Sequence, residues 1–396
     1  MIYEINLHFF FCFYFIIKID YTKKVEIFVY LYFIIIFACQ NKQTTVTKNC
    51  LMEVNNTYHN FLEEILCKGK SKGASRDQSE GTLEAFGLTT PMIFDLSSGI
   101  PVISTKKIWV KGITKELLWF LKGSTNVKDL REDNVHIWDG NAYDLYKRMG
   151  GSIPESDFFS LVDAGATGTL KLPGQKKVEY TFGNLNRMYG YQWRRKRIVT
   201  INDTIETIDP LAIVIQELLS KPNSRQIVLN TYDQYDASIS ALPSCHTMPL
   251  MFNCYPLSLD ERRTIAEDIL HEPVFTYNDR LFDDMMIPKY HLNAEMIQRS
   301  GDAFLGVPFN ITSTALLITI IAEICNMVPG NFIHHILSAH IYNNHLDQIK
   351  EQLSRNTNIQ DTFDCSILWG DDMYVPRDIL VDYKTPNNII KAEMIV

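Results

Sequence analysis

Apolar residues recur along most of the chain at spacings that a helix or a strand gathers onto one face. Tyr58, Phe61, Leu62, Ile65 and Leu66 fall at i, i+3, i+4, i+7 and i+8, which predicts an amphipathic helix over 57–68. Gly69 and Gly73 mark a loop, and 83–105 alternates turn residues with short apolar runs, as strands do. Ile113, Leu117, Phe120 and Leu121 form the stripe of a helix over 111–121, with Glu116 on the same face. A helix over 211–219, a strand over 226–232 and paired strands around 248–254 and 293–300 follow. Residues 311–325 are apolar nearly all round, which predicts a buried helix. His340 and Tyr342 share one side of a strand, and a helix begins near Asn344. Two stretches, 149–181 and 256–290, lose the periodicity and read as insertions. The order of elements is too irregular for a doubly wound parallel sheet, and no phosphate-binding glycine motif appears.

The first forty residues do not share this pattern. Twenty-two of them are Phe, Tyr or Ile, none is Gly, and two apolar runs are split by the charged stretch 18–26. Each run is shorter than the roughly 20 residues that span a bilayer. Residues 1–51 therefore read as an extension outside the fold, with translation expected to start at Met52; a membrane anchor is the alternative. The domain expected to fold is 52–396.

Composition narrows the function classes. Lys and Arg number 38 against 46 Asp and Glu, a net charge of −8, so no overall positive field draws in a nucleic-acid backbone. The eight cysteines are scattered without a CxxC pair, which argues against a zinc site or a disulfide framework and for a reducing compartment. No metal is expected.

Some residues stand out from the structural pattern. A carboxylate in an apolar stripe, as Glu116 is, loses hydration when ionised, and its pKa moves towards the range useful for proton transfer; a buried ion pair is the plainer reading. Cys245 follows a Pro-containing turn with His246 beside it, although neighbours on a strand point to opposite faces. Gln298-Arg299-Ser300-Gly301-Asp302 runs polar and charged straight into an apolar segment.

Taken together and in order, these segments resemble the thymidylate synthase family. The stretches are Glu116 to Asn126, His136-Ile137-Trp138-Asp139, Tyr189 to Arg194, Ala241 to His246, Gln298 to Asn310 and His340 to His345, with Met394-Ile395-Val396 as a closing tail. The resemblance implies an α+β fold with a large mixed sheet and flanking helices, paired sheet to sheet in a homodimer. It implies a cytoplasmic methyltransferase of dTMP biosynthesis that methylates dUMP using 5,10-methylenetetrahydrofolate, with no DNA or membrane partner.

The resemblance also assigns roles. Cys245 is the thiolate that adds to C6 of uracil and makes C5 nucleophilic. Arg299 favours that thiolate and, with Ser300 and Arg225 from the partner subunit, holds the substrate phosphate. Asn310 reads N3–H and O4 of uracil through its amide, Gln298 is a further substrate-binding residue, and His340 and Tyr342 hold the ribose hydroxyl. Glu116 is the general acid/base, with Tyr189 and His246 in its water network. Asp302 binds the pterin, Trp138 packs on the folate with Gly306, Phe309 and Ile395 nearby, and Lys106 meets the glutamate tail.

Three positions depart from the family pattern. Asp77 stands where the phosphate loop has Arg, leaving Arg76 one position early; Gln226 replaces the second Arg of a pair; Asn141 replaces a second Trp. Asn141 motivates the alternative of a dUMP or dCMP hydroxymethylase, against whose cytosine version Asn310 argues. The altered phosphate loop motivates a non-catalytic RNA-binding or scaffold relative, against which the retained Cys245 and Glu116 argue.

Overall fold

The computed structural model describes residues 44–45, 48–73, 80–88, 90–171, 177–246, 249–275, 278–358 and 362–393. The expectations placed on the first forty residues, on Arg76 and Asp77, and on Ile395 lie outside them.

One sheet of seven strands organises the described residues. In chain order they are β1 (Lys70–Lys72), β2 (Thr82–Phe86), β3 (Met92–Asp95), β4 (Val228–Leu229), β5 (Leu250–Pro256), β6 (Tyr290–Asp302) and β7 (Val328–Tyr342). Their spatial order is β1-β2-β7-β6-β5-β4, with β3 also paired to β7. The pair β6–β7 is parallel and the others antiparallel, so the sheet is mixed. A parallel pair needs a crossover, and the apolar helix α4 (Gly306–Ile324) supplies it. By length and composition α4 could cross a membrane, but its side chains are mostly packed inside the protein. The register sets Asp302 beside His340 at one end of the sheet. That is where the polar motifs gather.

Three further helices frame that end: α1 (Lys48–Lys68), α2 (Val110–Leu121) and α3 (Asp139–Arg148). Helix α1 starts well before the predicted 57, because its inner face continues through Val54 and a buried polar residue, Asn55. Asn55 donates to the Ser104 hydroxyl at 2.8 Å and accepts from the Ser104 amide at 2.9 Å, a pairing that periodicity does not show. The strand predicted over 226–232 shrinks to two residues. Beyond Leu229 the Thr231 hydroxyl donates to the His246 carbonyl at 3.0 Å, which ties this chain to the Cys245 loop instead of to a ladder.

Both insertions are built, not irregular. The first contains the helix Glu155–Asp163 and the hairpin Thr167–Lys171/Lys177–Thr181, closed on α3 by aromatic packing such as Tyr146 on Phe158, 4.9 Å between centroids. The second holds two helices, Leu259–Leu270 and Asp279–Asp284, around a small core of Ala266, Phe282 and Ile287. Ser258 and Glu261 form a reciprocal cap on the first of these.

Candidate active site

A cavity of about 530 Å³ opens at the Asp302 end of the sheet. Cys245 reaches it on an irregular segment fixed at three points. Its amide donates to the Tyr189 hydroxyl at 2.8 Å, its carbonyl accepts from the Arg299 amide at 2.8 Å, and its Sγ lies 3.1 Å from Arg299 Nη2. A fixed guanidinium against the sulfur favours thiolate over thiol. Because this segment is not a strand, Cys245 and His246 line the same cavity, contrary to the alternation expected of a strand.

Tyr189 is held by its backbone. It takes a positive φ of 23° immediately before Gly190, where a Cβ would stand 2.8 Å from the Ser124 carbonyl oxygen and 2.9 Å from that of Phe120. That close approach seats the short helix Gly190–Arg194 against the end of α2 and presses the Tyr189 ring onto His246, 4.6 Å between centroids. Burial holds the phenol well above its usual pKa and pushes the imidazole of His246 down to about 4, so both are neutral near pH 7.

Helix α2 delivers Glu116 into the cavity, fully within its wall. Desolvation raises its pKa to about 7, opposed by the Trp138 indole, which donates to Oε1 at 2.7 Å. Glu116 is thus not the ion-paired carboxylate of the plainer reading: its bond is to an indole.

Strand β6 contributes Gln298, Arg299, Ser300 and Asp302, and α4 contributes Gly306, Phe309 and Asn310. Gln298 donates to Asn310 Oδ1 at 2.9 Å, while its own carbonyl oxygen lies 2.7 Å from Nε2 of the buried His334. Asn310 Nδ2 is 3.3 Å from His246 Nδ1. With Oδ1 and Nδ2 so oriented, the amide offers one acceptor and one donor to a planar ligand edge. Asp302 Oδ1 accepts from the Phe304 amide at 2.9 Å, so this carboxylate also closes the turn into α4. On β7, His340 and Tyr342 line the cavity side by side, rings perpendicular at 5.3 Å.

Fourteen of the sequence-predicted residues line this one cavity. Two described ones do not. Lys106 is buried, stands 3.5 Å over the Phe304 ring and donates to the Phe304 carbonyl, with burial lowering its pKa to about 7. Arg225 is exposed at the sheet edge before β4 and does not enter its own chain's cavity. Trp109, Ile137, Leu242 and Leu305 line the cavity without having been singled out. Ile137, Leu242 and Leu305 sit inside the quoted motifs, whereas Trp109 carried no signal except its size.

The family model for thymidylate synthase matches residues 56–396. The chain belongs to the thymidylate synthase family. It is 34% identical over 299 residues to the thymidylate synthase of Mycoplasma mobile, covering 75% of this chain and 84% of that one. The thymidylate synthase of Mycoplasma genitalium is 33% identical over 302 residues, covering 76% and 85% respectively. The bifunctional dihydrofolate reductase-thymidylate synthase of Glycine max is 33% identical over 300 residues, 75% of this chain but only 45% of that longer protein. The likeness takes in every segment that builds the cavity, and the mixed α+β architecture is that of a family member.

Proposed function

We propose that this cavity performs the reductive methylation of dUMP to dTMP, with 5,10-methylenetetrahydrofolate as co-substrate and dihydrofolate as product. The observation that carries the reading is the Cys245 sulfur 3.1 Å from the Arg299 guanidinium, in a cavity that also holds Glu116 and Asn310. Membership of the family supports the activity, and the geometry of the cavity supports the residue roles that the resemblance implies.

The Cys245 thiolate adds to C6 of the pyrimidine, and the negative charge that develops on C5 and O4 makes C5 the nucleophile. Asn310, pinned by Gln298, selects uracil by accepting from N3–H and donating to O4. Arg299 serves the sulfur and, with Ser300, the phosphate, while Arg225 of a second copy supplies a further cation. Glu116, poised near neutrality, moves protons at the pyrimidine and at the departing folate nitrogen. The co-substrate supplies the carbon and the hydride. Trp138 and Phe309 fit an aromatic heterocycle, and Asp302 its ring N–H groups. Arg76 and the tail around Ile395 complete the phosphate and folate contacts in this reading, and the free thiols of the described residues go with a cytoplasmic setting.

The test is a paired assay of dihydrofolate absorbance and nucleotide mass. Equal amounts of dTMP and dihydrofolate are expected, and Cys245→Ala abolishes both together with covalent trapping by 5-fluoro-dUMP. Hydroxymethyl-dUMP as the dominant product, without dihydrofolate, would overturn the reading.

A further inference from the structure

None of the described residues of the insertion over 149–181 lines the cavity, yet its helix reaches back to one of the cavity walls. Asp163, in the last turn of that helix, takes Arg131 in a two-pronged grip, Nε to Oδ1 at 2.6 Å and Nη2 to Oδ2 at 2.9 Å. The third corner of the guanidinium, Nη1, donates to Asp139 Oδ2. Phe159 of the same helix lies under its face, 4.5 Å from ring centroid to Cζ. Asp139 Oδ2 is also 2.9 Å from His136 Nδ1. His136 and Asp139 bracket Ile137 and Trp138, both of which line the cavity, and Asn141 follows one half-turn later.

On its inner side the segment is held by the Trp138 ring, buried against Trp119 and Tyr189; on its outer side it is held by this bracket. Trp138 is the N-cap of α3 and makes no side-chain cap bond, so the start of the helix lacks the usual anchor. Asp139 in the first turn suits the helix dipole but needs a counter-charge to stay put, and Arg131 provides it. The stakes are set by the indole of Trp138, whose N–H is the donor to Glu116 Oε1 at 2.7 Å. A shift of this segment moves both the surface offered to the folate and the hydrogen bond on the carboxylate.

We propose that Arg131 and Asp163 are positioning residues: the insertion clamps the His136–Asp139 segment so that Trp138 stands ready before the folate arrives. The proposal rests on the reading that Trp138 meets the folate. An isolated surface pair contributes little, but here the guanidinium is held at two edges and one face with its side chain 14% exposed.

The experiment measures kcat and both KM values for Asp163→Asn, Arg131→Lys and Trp138→Phe in the full chain. Asp163 is half-exposed, so Asp163→Asn keeps the shape and leaves the core untouched. It should raise KM for methylenetetrahydrofolate about threefold to tenfold with KM for dUMP unchanged. Arg131→Lys, which keeps the charge but not the fork, should shift the same parameter in the same direction. An unchanged folate KM in Asp163→Asn overturns the proposal, and so does an equal rise in both KM values, which marks general loosening. Trp138→Phe separates the two levels of the reading. If it moves the folate KM and Asp163→Asn does not, only the clamp falls; if Trp138→Phe itself leaves the folate KM unchanged, the placement of the folate falls and the clamp with it.

Discussion

Glu116 is a carboxylate that the fold keeps at a cost. Its pKa rises from the ordinary 4.5 to about 7 because it is desolvated, with only the Trp138 indole in opposition. Between those values the native state binds a proton that the unfolded chain has released, so stability falls as pH rises from about 4.5 to about 7. Above that range the deficit is constant, roughly 3 kcal/mol for a shift of this size. Glu116→Gln should therefore melt higher than the parent at pH 8, match it near pH 4, and have lost most of its activity at both. Equal melting temperatures at pH 8 would mean that Glu116 is solvated. Much of this site was legible in the residues: an acid inside the stripe Ile113, Leu117, Phe120 and Leu121 announces its own desolvation. What was not legible depends on backbone path and rotamer. Cys245 and His246 share a cavity because their segment leaves the strand geometry, and Lys106 folds inward because the Phe304 ring and carbonyl offer its ammonium a place.

At the scale of elements, apolar periodicity located the helices wherever enough apolar residues keep the helical spacing, as in α2 and α4, which tolerate a buried Glu116 and a buried Thr312 on their faces. It failed where a buried polar group interrupts a sparser apolar pattern. Asn55 hid the first turns of α1, and Arg262 hid a whole helix of the second insertion. Arg262 is 2% exposed, pairs with Asp279 at 2.7 Å and Asp283 at 2.8 Å, and donates to the Ile287 carbonyl at 3.1 Å. It acts as the polar centre of a core too small to stand by itself, and removing it takes the guanidinium from Asp279, Asp283 and the Ile287 carbonyl at once, leaving Asp283 only Lys289. Arg262→Ala should therefore open the insertion selectively, seen as faster amide exchange and proteolysis within 258–287. Activity should stay within about twofold of the parent, because Tyr290, where the insertion rejoins β6, lies eight strand residues from Gln298, about 26 Å. A loss of activity as large as the loss of protection would show that the two ends of the sheet are coupled.

For the whole molecule, the question is what covers the outer face of the sheet. Register places Val228, Met251, Glu295, Ile333 and Ile93 in one row across five strands. Residues directly opposite share a face, and here four of the five are apolar. Val228, Met251 and Ile93 are 38%, 41% and 51% exposed, more apolar surface in one line than a lone sheet leaves to water. Arg225 stands exposed at the edge of the same sheet and does not line its own chain's cavity. Both features fit the proposal that two copies pair through their sheets, with Arg225 of each completing the phosphate site of the other. Trans donation has a consequence that no monomer shares. Arg225→Ala and Cys245→Ala should each be inactive or severely impaired alone, one for want of the cation and one for want of the nucleophile. Mixed and allowed to exchange subunits, half of the dimers become heterodimers, and each of these unites an intact Cys245 with an intact Arg225 in one of its two sites. Activity should return to about a quarter of the parent value, the statistical share for a two-fold dimer. Met251→Glu, which sets a charge into the row on both copies, should release monomers and prevent the recovery. If the mixture stays inactive while dimers form, Arg225 acts within its own chain or not at all, and the shared site is ruled out.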